Sequence, residues 1–71
     1  MAAGKLKIDI RRRQILELLG RSGQVTVSEL SAALGATGVT IRSDLDALAA
    51  SGQLQRVPGG AVLRPKRTEA P

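Results

Sequence analysis

Between Thr37 and Ser43 the chain reads TGVTIRS. This run supplies hydroxyls at Thr37, Thr40 and Ser43, one guanidinium at Arg42, a small apolar tip at Val39 and bare backbone at Gly38. None of these groups is a nucleophile with a base beside it, because the chain contains neither histidine nor cysteine. That absence removes the commonest general base, thiolate chemistry, disulfides and the usual zinc ligands. Hydrogen bonding and charge remain: hydroxyls that donate and accept, and a planar guanidinium that pairs with base edges or phosphate oxygens. Such residues make a binding surface. No enzyme activity, cofactor or metal is expected.

The charge balance indicates what is bound. Eleven Lys and Arg against six Asp and Glu leave a net charge of +5, which on so small a chain suggests a polyanion. Modules that grip single strands or RNA loops stack bases on aromatic rings, and here Phe, Tyr and Trp are all absent. Duplex DNA, read through groove edges and phosphates, is the polyanion that fits. The N-terminal MAAGKLKIDIRRR holds no apolar run of signal-peptide length, and no stretch is long enough to span a bilayer. A cytoplasmic protein with no membrane partner is expected.

Seventy-one residues suffice for one small domain with an aliphatic core of Ala, Val, Leu, Ile and Met. Residues 1–8 read as a flexible basic arm. From Asp9 to Leu19 the apolar residues Ile15, Leu18 and Leu19, widened by Leu16, form one helical stripe behind Arg11, Arg12 and Arg13. Gly20 and the following RSGQ are expected to end that helix. VTV at 25–27 is too short for more than one bridge of sheet. Thr26 and Glu29 stand in the spacing of a capping box, so a second helix starts there, turns Val27, Leu30 and Leu34 inward and stops at Gly35.

Thr37 is a second N-cap, opening a third helix over about 38–51 that Gly52 closes. Two helices joined across about three residues form a helix-turn-helix, whose second member enters the DNA major groove. QLQRV, PGG and AVL then read as two short strands around a glycine turn, in which Gly59 or Gly60 takes positive φ. The fold class is mainly α with a small β-hairpin: a winged helix-turn-helix of three helices and a two- to three-stranded wing over 9–63. Residues 64–71 read as a disordered tail or linker.

At 100° per residue Ile41, Leu45 and Leu48 share the inner face of the third helix. Val39, Ser43, Asp46 and Ala50 share the outer face, with Thr40 and Arg42 on its flanks. Thr and Ser suit bases or phosphates, Val39 and the Thr40 methyl suit thymine methyls, and Arg42 suits guanine or phosphate. Gly38 permits close approach of the backbone to a phosphate at the helix N-terminus. Asp44, between the inner face and the Thr40 flank, is placed to fix a nearby arginine. Arg12 with its neighbours Arg11 and Arg13 is either a phosphate contact or solvated surface; Arg56 in the wing reaches a flanking phosphate or the minor groove, or is solvated surface, and Gly59 in the turn belongs to the DNA-binding set.

RRQILELL, VTVSELSAALGA, VTIRSDLDAL and GQLQRVPGGAV, in that order from Arg12 to Leu63, resemble the N-terminal domain of DeoR-type bacterial transcriptional repressors. The resemblance implies a winged helix-turn-helix that recognises an operator, commonly in genes of sugar or sugar-phosphate catabolism. It further implies response to a metabolite bound by a separate C-terminal domain. That second domain is not among these residues, so a monomeric reading head for one half-site is expected. Two positions depart from the family: it usually has two arginines where Arg42 and Ser43 stand, and a histidine where Pro58 stands. The alternative is a winged-helix module that binds protein, which requires an apolar patch on the third helix.

Overall fold

The computed structural model describes residues 3–64. In them the elements run α1 (Ala3–Ser22), β1 (Gln24–Thr26), α2 (Val27–Leu34), α3 (Gly38–Ala50), β2 (Gln55–Val57) and β3 (Gly60–Val62). This is the expected order, and three helices with one antiparallel sheet make a winged helix-turn-helix.

The first helix differs from expectation at both ends. It begins at Ala3, so residues 3–8, expected to be a flexible arm, are its first turns. Lys5, Leu6 and Lys7 favour helix, and half-buried Ile8 continues the stripe of Ile15 and Leu19. Nor does Gly20 stop it. An exposed glycine inside a helix costs about 1 kcal/mol, less than is gained by burying Leu19 and half-burying Leu18 in the turn that contains it. The stop is Gly23, at φ 83, whose N–H bonds the Leu19 carbonyl at 2.7 Å. Of the expected tail, only Arg64 lies among the described residues.

The second helix opens as its local signals require. The Thr26 hydroxyl accepts from the Glu29 N–H at 3.0 Å, and the Glu29 carboxylate accepts from the Thr26 N–H at 3.2 Å. Gly35 ends α2, and Ser31 bridges the joint by donating its hydroxyl to the Ala36 carbonyl. At the far end of α3 the N–H of Gly52 bonds Ala49 O and that of Gln53 bonds Leu48 O, both at 3.0 Å. This double closure turns the chain into Leu54, which is buried.

The bridge expected at VTV is a three-residue strand one position earlier, Gln24–Thr26, and Val27 opens α2. β1 pairs along its whole length with β3 (Gln24↔Val62, Val25↔Ala61, Thr26↔Gly60), while β2 pairs with the other edge of β3. The order is β1-β3-β2, so the wing is a three-stranded sheet with β3 in the centre. Gly59, at φ 79, follows Pro58 in the turn. Gly60 answers a different need: a Cβ there would fall 2.1 Å from the Val25 carbonyl oxygen and 2.9 Å from the Thr26 Cα. Only a bare backbone lets β1 and β3 approach so closely.

The core joins the three helices to β1 and β3: Ile15 and Leu19 from α1, Val25 from β1, Val27 and Leu30 from α2, Ile41, Leu45 and Leu48 from α3, Leu54 from the turn before β2, and Ala61 from β3. Leu18 and Leu34, expected inside, pack only partly buried at its edge.

Gly60→Ala should therefore destabilise the fold more than Gly59→Ala. The first forces backbone apart, at about 1–3 kcal/mol or more. The second meets no atom within 4 Å and costs only the left-handed conformation, about 1–2 kcal/mol. Urea midpoints of the two variants check this order.

Candidate nucleic-acid interface

The end of α3 that follows the turn is held by its own cap. The Thr37 hydroxyl accepts from the Thr40 N–H at 3.2 Å and donates to the Thr40 hydroxyl at 3.1 Å. Because Thr40 accepts that proton, its own hydroxyl hydrogen is left to donate outward. Val39 is 73% exposed, and Ser43, Asp46 and Ala50 follow it on the outer face, all exposed.

Arg42 is exposed and has no carboxylate within ion-pairing distance among the described residues. Its guanidinium lies back over the first turn: a Cβ built on Gly38 would sit 3.6 Å from its Nη1 and 3.6 Å from Val27 Cγ1. Both are ordinary contacts, so packing would accept a methyl at Gly38. The positive end of the α3 dipole and the Arg42 charge thus coincide, and an anion arriving there meets both.

Beneath this surface Asp44 is buried, at 1% exposure. Arg11 grips it in two bonds, through Nε to Oδ2 and through Nη2 to Oδ1 at 3.0 Å, and Arg12 Nε donates to Oδ1 at 3.0 Å. Burial pushes the Asp44 carboxyl up, but the hydrogen bonds and charges of Arg11 and Arg12 outweigh it and hold the group below its ordinary 3.8. The hydrogen bond to Asp44 likewise holds Arg11 above its ordinary value, against the effect of burial.

The wing has its own charged centre. Arg56 Nε donates to Asp46 Oδ1 at 2.8 Å, and Nη1 donates to the carbonyls of Val57 at 3.0 Å and Gly60 at 2.5 Å. The turn itself is drawn back toward α2, since the Gly59 carbonyl accepts from the Val27 N–H at 2.8 Å.

The structure brings Thr37, Gly38, Val39, Thr40, Arg42 and Ser43 together along the first two turns of α3. It does not leave Arg12 and Arg56 there as free cations, because each is tied to a carboxylate of α3. Arg13 stays exposed on α1, while Arg64 reaches the Gly52 carbonyl at 3.4 Å. The expectation that Asp44 fixes an arginine holds, with two partners rather than one. The pairing of Asp46 with Arg56 was not foreseen, and no periodic signal links a helix residue to a strand ten positions later.

A tight helix-turn-helix followed by a three-stranded wing, with a small polar face and an arginine free of carboxylates among the described residues on the second helix of the pair, defines a winged helix-turn-helix of the nucleic-acid-binding type. Residues 11–67 match the DeoR-like helix-turn-helix domain, and the chain belongs to that family. It is 47% identical over 53 residues to the HTH-type transcriptional regulator GolR of Listeria innocua, a match covering 75% of this chain and 21% of that regulator. It is 43% identical over 53 residues to the lactose phosphotransferase system repressor of Lactococcus lactis subsp. lactis, again 75% of this chain and 21% of the relative. The chain thus spans about a fifth of the length of these curated relatives. No solved structure matches it. The family is one of transcription regulators, which is not an enzyme class.

The Asp44 cluster carries a pH signature. A carboxyl whose value is lowered on folding contributes stability that is fully present above 3.8 and lost as pH falls through the lower folded value. Urea midpoints should therefore drop on that acid side, and Asp44→Asn should flatten the drop. Removing Arg11 and Arg12 together leaves a buried carboxylate unpaired and should cost about 3–5 kcal/mol at neutral pH. Either single removal should cost less, because the other arginine keeps its bond.

Proposed function

We propose that this chain is the operator-reading head of a bacterial transcriptional repressor, binding duplex DNA with α3 in the major groove. The observation that carries the reading is the outer face of α3: short side chains at Val39, Thr40 and Ser43 beside an Arg42 with no carboxylate partner among the described residues, on a helix capped at Thr37. Short leading side chains let the helix backbone approach the base edges closely, and one long cation supplies reach. The repressor among the relatives supports the regulatory half of the reading.

In this reading Val39, Thr40, Arg42 and Ser43 meet base edges, while Thr37 and Gly38 meet a phosphate at the helix N-terminus. Gly59 brings the wing's backbone near a flanking phosphate. Arg12 and Arg56 act chiefly by holding α3 and the wing in place, with their remaining N–H groups turned to the phosphate backbone. The protein works in the cytoplasm, and the effector is a metabolite bound outside these residues. The isolated domain is a monomer that occupies one half-site.

A protein-binding module is not favoured. It needs a contiguous apolar patch on α3, and the exposed Val39 is followed on that face by Ser43 and Asp46. No helix among the described residues is long and apolar enough to cross a membrane.

Selection of bound duplexes from a random pool tests the reading and yields the half-site. Affinity for the selected duplex should fall linearly with salt on logarithmic axes, by about 0.9 of slope per phosphate neutralised. Recovery of no duplex, or tighter binding to single strands, refutes the proposal.

Arg42→Ala should weaken the selected duplex by about 1–3 kcal/mol while random duplex changes little, the pattern of a base contact. Equal weakening of both assigns Arg42 to phosphate. Parallel titrations on the two duplexes separate these cases.

A further inference from the structure

Asp46 poses a problem that the proposed function does not solve. Its side chain is 67% exposed and lies on the same face of α3 as Val39 and Ser43, where a negative charge faces a polyanion. Coulomb interaction alone makes such a carboxylate a cost to DNA binding. What offsets the cost is visible in its partner. Arg56 donates from Nε to Asp46 and spans the wing with Nη1, which donates to the carbonyls of Val57 and Gly60 on either side of the Pro58–Gly59 turn. One guanidinium therefore joins α3 to both strands of the hairpin.

We propose that Asp46 and Arg56 form a latch that sets the position of the wing relative to α3, which makes Asp46 a positioning residue for duplex binding. The proposal rests on the DNA reading above. Each strand of the hairpin has only three residues, and a two-stranded ribbon of that size has little stability of its own. β3 is held by β1, but β2 is an edge strand with β3 as its sole neighbour in the sheet. The bond from Arg56 to Asp46 ties that edge to the helix. The planar fork matters as well, because an ammonium at position 56 cannot address a carboxylate and two carbonyls in fixed directions. Asp46 does not touch DNA in this account. It holds the arginine that holds the turn, and its charge is neutralised by the same contact.

The test turns on sign. Removal of a DNA-facing carboxylate tightens binding if only Coulomb repulsion matters, and loosens it if the latch matters. The 71-residue chain with D46A, R56A or both would be titrated against the selected duplex, with amide hydrogen exchange measured on the free proteins. The latch predicts that D46A weakens binding by about 2–5-fold, the range of an exposed ion pair. Its salt slope should stay that of the parent, since no phosphate contact is lost. R56A should weaken binding further, and the double variant should bind no more weakly than R56A. Amides of β2 and β3 should exchange faster in D46A, while those of Leu19 and Leu45 do not change. D46A binding as tightly as the parent or tighter, or D46A and R56A effects that add in full, overturns the latch. If the parent binds no duplex, the DNA reading falls and the latch is decided by exchange alone: faster exchange of the hairpin amides upholds it, unchanged exchange overturns it.

Discussion

The structure depends on a carboxylate that has no access to water. Asp44 lies on the buried side of α3 and meets two arginines of α1, so the helix that carries the outer polar face is locked in rotation and translation against the longest helix of the fold. An aliphatic core alone does not provide that lock, because apolar burial is non-directional and leucine and isoleucine accept many alignments. A carboxylate does not. Any shift of α3 that separated Asp44 from both arginines would leave a buried charge unpaired, at a cost of several kcal/mol. The cluster's effect lies less in net stability than in the gap between the correct alignment and the nearby wrong ones.

That arrangement divides the arginines into two kinds. Arg11, Arg12 and Arg56 are engaged with carboxylates of α3. Arg42, on α3 itself, has no such partner among the described residues and extends over the helix N-terminus. Net charge attracts the chain to a polyanion, but the paired arginines serve mainly to aim the unpaired one. The same principle governs the wing, where Arg56 converts a short hairpin into an element with a defined place beside α3.

Close approach of backbones is the second constraint. Gly60 lets β3 lie against β1, and that pairing joins the chain after α1 to the chain after α3. The sheet thereby adds Val25 and Ala61, both buried, to the core that the helices share. No aromatic ring is present to fill space, and at Gly60 the backbone itself makes the close contact.

The features legible in the residues were those whose physics acts within about one helical turn. Thr26 with Glu29, Thr37 with the amide of Thr40, the stop at Gly35, and the inner face of Ile41, Leu45 and Leu48 are local arrangements, and the chain encodes them locally. Even the inward role of Asp44 followed from its angle on the helix. Other features were decided only in three dimensions. Gly20 failed to end α1 because burial of its neighbours outweighed an exposed glycine, and Gln24–Thr26 became a full strand because β3 folds back onto it, while Val27 went to α2. Position on the third helix marked Arg42 for the DNA, but left Arg12 and Arg56 open between DNA contact and solvated surface. Both were paired when folding brought Asp44 to the first and Asp46 to the second, since an ion pair is set by distance in space and leaves no periodic trace along the chain.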